Sequence, residues 1–357
     1  VQDLGVNSPL SAIDLTSTDD PDARLDWLAG ELMQQPIDLR HVPLWRGIIA
    51  TLAPGRHRLL VVAAHVLVDG ASVDLLAAEL ARAMSDTPPD DNVTQYGRYA
   101  KHDAAAATGP HHEMWWRGQY ERRKPLRSSW GGGAAQLLTC PLGDLTPEWG
   151  ALVKARNEQR YSARPTTTLA VMAAAALSDE STALAVGIAS SNRLAPWARV
   201  VGPVFDHRPV VIDIAPGVTY AQAIEAANEA RKAERMHRLP THRLEELAGS
   251  ATAYDVALNL DPFRAARPMA VQGPHGTVIV AARSISTVPR VRIHAVTSVN
   301  PSLAVLLRRR ANGGLTGNLL GNSRLWSAEA LHGLAMRLRY VMHAALANPD
   351  GPILDRG

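Results

Sequence analysis

The stretch from His57 to Met84 constrains the fold more than any other part of the chain. HRLLVVAAHV is a nearly continuous apolar run, the pattern of a strand buried on both faces. VLVDGAS then turns the chain, with Gly70 ending the turn and Ser72 in the position of a helix N-cap, and VDLLAAELARAM follows as an amphipathic helix. A buried strand feeding a helix through a tight turn is a unit of α/β layered folds, and the remaining pattern agrees with it. Residues 22–36 carry apolar positions at helical spacing and end at Pro36 and Asp38, LWRGIIATL reads as a strand, and Pro54-Gly55 turns it. Later, TPEWGALVKARNEQR, TTTLAVMAAAAL and YAQAIEAANEARKAERM read as helices, STALAVGIASS and VVIDI as strands. PSLAVLLRRRA and LTGNLLG add strands before the helix SAEALHGLAMRLRYVMHAAL.

The length of 357 residues accommodates two compact units. A Gly, Ser and Arg-rich stretch around RSSWGGGAAQ precedes the expected division, which gives an N-terminal lobe over 1–143 and a C-terminal lobe over 144–357. VQDLGVNSPLSAIDL reads as an extended connection, so the chain is expected to open inside a domain with an incomplete first lobe.

Hydrophobic residues make up 46% and charged residues 20%, an ordinary globular balance. Lys plus Arg (37) barely exceed Asp plus Glu (34) and are scattered, which argues against a nucleic-acid surface. The densest basic run, RRR at 308–310, reads as a solvated strand end. Cys140 is alone, so there is no intrachain disulfide and no four-Cys zinc site. No apolar run reaches membrane-spanning length and Val1 onward lacks a secretion signal, from which a soluble, cytoplasmic protein with no membrane partner is expected.

His65, Asp69 and Gly70 share one short turn at the start of a helix. A neutral imidazole can take a proton from an attacking amine or hydroxyl, and helix-start N–H groups can stabilise the oxyanion that develops on an acyl carbonyl. Gly70 would admit a close backbone approach or a positive φ. A histidine beside a buried strand is more often a core residue, so spacing alone leaves catalytic and structural readings both open. His111-His112-Glu113 reads as a solvated turn rather than a metal site, because adjacent histidines do not share a helix face. Trp115, Trp116 and Trp130 read as packing residues.

AAHVLVDGAS resembles the HHxxxDG signature of nonribosomal peptide synthetase condensation domains and related acyltransferases. Other segments match that family in order. PIDLRHVPLWRGII is similar to its PFDL…GPLxR element at Pro36, Asp38, Leu39, Pro43, Leu44 and Arg46; YGRYAKH to YxDYAxW at Tyr96, Tyr99 and Ala100, with Trp115 or Trp116 following. ASSNR resembles the Gly-Arg element ending at Arg193, and VGPVFDHRPVVI the VGxFVNxxPxR element at Gly202 and Pro209. Ala64 stands where the family has its first histidine, Arg98 and His102 where it has Asp and Trp, Asn192 where it has Gly, and Asp206 and Val211 where it has Asn and Arg. The family's opening segment, with an Arg-His-Glu element, has no counterpart here.

The resemblance implies an α/β fold of two chloramphenicol-acetyltransferase-like lobes forming a V-shaped pseudodimer around a tunnel. It implies condensation of an acyl or aminoacyl thioester with an amine or hydroxyl acceptor. Acyl or peptidyl carrier proteins would be the partners, with substrates on their phosphopantetheine arms and no cofactor or metal bound by the domain itself. His65 would be the general base or would orient the nucleophile, the backbone at Gly70 would polarise the carbonyl, and Asp69 would hold the turn. Ser72 and Arg193 are the candidate substrate-binding residues, a structural salt bridge being the other reading of Arg193. A buried Asp69 would require a cation, for which Arg46 is a substitute candidate, a plain surface arginine being the other reading of that residue. With Ala64 in place of a histidine, a backbone carbonyl or a hydroxyl such as Ser72 would have to orient His65. A non-catalytic relative that binds carriers or recruits another enzyme is the alternative from a different class, and a coenzyme-A-dependent acyltransferase the alternative within it. An epimerase ranks low, since IASSNRLAPWARVVG contains no glutamate.

Overall fold

Short-range chemistry starts most of the elements. The computed structural model describes residues 9–84, 93–105, 109–126, 137–161, 163–250, 252–261, 269–273, 276–280, 302–310 and 313–354. β1 (Leu10–Asp14) leads to α1 (Pro21–Gln34), which opens on a proline and is capped by Asp20, whose carboxylate accepts the Ala23 N–H at 2.9 Å. β2 (Trp45–Ala53) turns through Gly55, at φ +69°, into β3 (Arg56–Ala63). Then come α2 (Gly70–Met84), α3 (Tyr96–Ala105), α4 (Pro110–Arg122), β4 (Leu137–Asp144), α5 (Thr146–Asn157) and α6 (Pro165–Ala176). β5 (Thr182–Ser191) and β6 (Phe205–Ile214) precede α7 (Tyr220–Met236), which starts with a reciprocal Thr219–Gln222 capping box. α8 (Thr241–Ala248), β7 (Val256–Asp261), β8 (Met269–Gly273), β9 (Gly276–Val280), β10 (Leu303–Arg309) and β11 (Leu315–Asn322) follow, and α9 (Ala328–Ala347) is capped by Ser327. Trp130 lies outside the described residues.

Two compact units result. One draws on the chain up to Tyr96, on Ala198–Val204 and on the segment from Ala266 to His294; the other comprises Gly97–Trp197, Phe205–Ala265 and the chain from Ala295. The first boundary therefore falls at Tyr96, ahead of the 143/144 division expected from composition. β4, which ends at Asp144, pairs with β11 in the second unit's sheet, so the Gly-rich stretch precedes a strand of that unit.

In the first unit β1 runs parallel to β2 and β2 antiparallel to β3, in the order β1-β2-β3; β8 and β9 form a separate antiparallel hairpin. Leu25 of α1 packs with Leu15, Ile48, Ala50 and Leu52, with Leu60 against them. β3 is not buried on both faces. It has one strand neighbour among the described residues, and while Leu60 turns to the core, Leu59 and Val61 on the opposite face are 48% and 49% exposed. An apolar run gives strand propensity; only the layers packed on it decide burial.

The second unit is built on a mixed sheet in the order β4-β11-β10-β7-β5-β6, parallel at β10/β7 and β7/β5 and antiparallel elsewhere. α6 lies in contact with β5, β6, β7, α7 and α9, and every residue from Thr167 to Ala176 is buried, as the apolar run from Leu169 onward requires. Asp255 and Arg123, both nearly inaccessible, pair at 2.8 Å, and Asp255 also accepts the Ala185 N–H of β5 at 2.8 Å. Arg309, at the end of β10, lies over the Trp149 ring.

Candidate active site around His65

β3 stops two residues short of His65. The Ala64 N–H donates to the Leu44 carbonyl at 2.9 Å and the Leu67 N–H to the Ala64 carbonyl at 2.9 Å, which closes a turn and leaves the His65 side chain exposed. Nδ1 of His65 lies 2.8 Å from the Val68 carbonyl oxygen. A carbonyl can only accept, so Nδ1 carries the proton and Nε2 is the basic nitrogen. The orienting group required by Ala64 is thus a backbone carbonyl of the same turn, not the Ser72 hydroxyl.

Asp69, 6% exposed, is the N-cap of α2. Its carbonyl accepts the Val73 N–H at 3.3 Å, and its Oδ1 accepts both the Ser72 N–H and the Ser72 hydroxyl at 2.8 Å. Oδ2 accepts the Val204 N–H at 3.1 Å. The cap assigned to Ser72 therefore belongs to Asp69, three residues earlier. Of the two readings of Arg46 the pairing with Asp69 is not the one found: Arg46 donates to the carbonyls of Gln35 and Pro36 and to Gln35 Oε1, fastening the end of α1, while the Ser72 and Val204 N–H groups donate to the Asp69 carboxylate.

Ser72 has no exposed surface, which removes it from the substrate-binding set. Its hydroxyl accepts the Gly202 N–H at 3.0 Å and shares its proton between Asp69 and the Gly202 carbonyl, also at 3.0 Å. Gly202 sits at φ +155°, and a Cβ there would fall 2.3 Å from Cδ2 of Tyr96, so only glycine fits. The HVLVDGAS and VGPV segments, 130 residues apart, are one hydrogen-bonded body within the first unit.

Gly70 opens α2 without a positive φ, contrary to one of its expected roles. Beyond the adjoining residues and the helix's own backbone, no atom of the described residues lies within 4 Å of the place a Cβ would take, and neither its N–H nor that of Ala71 has an acceptor among the described residues. These are the orphan donors of a helix N-terminus, available to a developing oxyanion. Sequence patterns did not reveal the Val68 carbonyl or the Val204 N–H, because any residue can supply a backbone group.

Arg193 belongs to the second unit, just beyond β5, where its N–H donates to Ser191 Oγ at 3.3 Å. Beside it, Asn192 donates to the Tyr99 hydroxyl at 3.1 Å and accepts from Arg238 at 3.1 Å, and Arg238 pairs with Asp103 at 2.6 Å. That network occupies the position where the resemblance anticipates a glycine. His111 and His112 lie in the first turn of α4 rather than in a solvated turn, because Pro110 starts the helix there. His112 Nδ1 lies 3.4 Å from His237 Nδ1, Trp115 stacks on His237, Trp116 donates to the His237 carbonyl at 2.7 Å, and Glu113 pairs with Arg243. Among the described residues no group of three or more His, Cys, Asp or Glu side chains is arranged to hold a metal ion, and no helix is long and apolar enough to cross a membrane.

The family model for the condensation domain matches residues 6–355. The chain belongs to the condensation-domain family. A curated relative of this condensation domain, cyclosporin synthetase from Tolypocladium inflatum, is 23% identical over 367 residues, covering 96% of this chain and 2% of that protein; the chain thus spans about 2% of the relative's length. Among solved structures, the first condensation domain of the calcium-dependent antibiotic synthetase, in complex with a substrate analogue, superposes with a TM-score of 0.68 at 21% identity, covering 96% of this chain and 76% of that one. The X-domain solved with OxyB from teicoplanin biosynthesis gives 0.72 at 19% identity, covering 97% and 78%. These structures share the mixed α/β fold described above.

Proposed function

We propose that this condensation domain transfers an acyl or aminoacyl group from a carrier-bound thioester to an amine or hydroxyl acceptor. One observation carries the reading: the Val68 carbonyl fixes the exposed His65 as the Nδ1–H tautomer and leaves Nε2 as its base. The acceptor nitrogen or oxygen attacks the thioester carbonyl and passes a proton to His65 Nε2. The N–H groups of Gly70 and Ala71 stabilise the oxyanion, and collapse breaks the C–S bond and returns the proton to the departing thiolate. Asp69 positions the turn. Family membership supports a place in nonribosomal peptide synthesis, with carrier domains as partners, the cytoplasm as compartment and no metal or redox cofactor required by the chemistry.

The test is incubation with carrier-bound donor and acceptor, followed by mass spectrometry of the carrier-bound product. A folded His65→Ala variant is expected to lose about two orders of magnitude or more in product formation. Equal turnover in the variant would remove His65 from the chemistry. Ala64, in place of the first histidine of the signature, favours a second reading, recruitment of another protein without catalysis. Carrier binding with no product from wild type or variant would establish that reading instead.

A further inference from the structure

The N-terminus of α6 carries the wrong charge for its position. Helix N-termini present unpaired N–H groups and a partial positive charge, and so favour anions. Here three arginines converge: Arg164 at the N-cap, with Arg231 and Arg235 from α7. Arg231 is only 9% exposed. Its Nη1 donates to the hydroxyls of Thr166 and Thr167, in the first turn of α6, at 3.1 and 3.2 Å. Those acceptors are neutral. Among the described residues no carboxylate pairs with Arg231, and Glu234, the acid whose charge reaches it, is held by Arg208 at 2.6 Å.

The Nε and Nη2 edge of Arg231 has no acceptor among the described residues, and neither does the Thr166 N–H, since Thr167 and Thr168 take the Arg164 carbonyl. Arg164 and Arg235 are exposed and likewise unpaired among the described residues. Burial, together with the like charges of Arg235 and Arg164, lowers the Arg231 pKa to about 10. A buried cation without a counter-charge is strongly disfavoured, and the helix dipole adds to the penalty. A bound anion would offset both.

We propose that this helix end is a binding site for a phosphate group, gripped by the Nε/Nη2 fork of Arg231 and the Thr166 N–H and flanked by Arg164 and Arg235. The fork matches two oxygens of a tetrahedral oxyanion, and three positive charges suit a dianion better than a carboxylate or chloride. The site lies wholly within the second unit and involves no residue of the His65 turn.

Isothermal titration of the full chain with inorganic phosphate, at ionic strength matched with chloride, tests the proposal. Wild type is expected to bind, Arg231→Met to bind at least tenfold more weakly, and Arg235→Ala several-fold more weakly. Phosphate should raise the melting temperature of wild type but not of Arg231→Met, which separates site binding from general salting effects. Should Arg231→Met fail to fold, the exposed Arg235→Ala carries the comparison. Pantetheine 4′-phosphate, with pantetheine as its blank, distinguishes the source: tighter binding than inorganic phosphate assigns the site to a carrier's arm and rests on the proposed function, whereas equal binding assigns it to free phosphate. Absence of phosphate binding beyond the chloride control, or equal affinity in wild type and both variants, overturns the site and leaves the His65 chemistry untouched.

Discussion

Asp69→Ala probes the joint between the signature turn and the VGPV segment. The substitution removes one acceptor from three donors: the Ser72 N–H, the Ser72 hydroxyl and the Val204 N–H. Loss of an N-cap costs about 1 kcal/mol. The Ser72 hydroxyl keeps Gly202 as partner, but the Val204 N–H, on a residue with no exposed surface, loses its acceptor, at about 1–3 kcal/mol. The sum for these three donors is about 2–4 kcal/mol. Two units need not unfold together, so urea denaturation followed by circular dichroism should be paired with amide hydrogen exchange at Ser72 and Val204. Protection there should fall by a factor of about 30 to 700, the same free energy expressed as a ratio. Asp69→Asn should restore the cap but place an amide donor against the Val204 N–H, recovering only part of the loss. If Asp69→Ala were within about 0.5 kcal/mol of wild type, with exchange at Val204 unchanged, the hydrogen-bonded joint would not exist as described.

Gly202→Ala should cost about 1–3 kcal/mol by driving a methyl into the Tyr96 ring, measured as a lower urea midpoint; unchanged stability would mean that the ring does not pack there. Ala64→His should not raise product formation, because the Val68 carbonyl already orients His65, and it should destabilise the half-buried strand end by about 1–3 kcal/mol; a stable variant with higher turnover would show a weakened catalyst instead. Burial pushes the phenols of Tyr161 and Tyr254 up to about 12, and those of Tyr99 and Tyr120 upward as well. Raised acids keep their protons in the folded state, so their contribution is complete below about pH 10, where unfolded tyrosine ionises, and fades as pH rises towards 12. Tyrosinate absorbance from these four should appear together with loss of circular dichroism; early ionisation in a still-folded protein would contradict their burial.

Much of the architecture was legible in the residues because local rules produce it. Proline at the first helical position, the Thr219–Gln222 capping box and the apolar run Leu169–Ala176 of α6 each follow from short-range chemistry, and the ordered signature elements identified the family. His65 was legible for the same reason, since its segment carries side-chain information. Tertiary structure decided what depends on partners distant in sequence. β3 was marked as a strand by its composition, yet its exposed face depends on which layers reach it. Asp69 was marked as buried and in need of compensation, but the peptide N–H groups that supply it come from Val204, 135 residues away, and from the turn that places Ser72 beneath it. Ser72 and Gly202 read as a cap and a motif glycine until the fold brought them within 3.0 Å. A backbone N–H or carbonyl has the same chemistry in every residue, so sequence does not record which ones a site will use, and only the packed chain selects them.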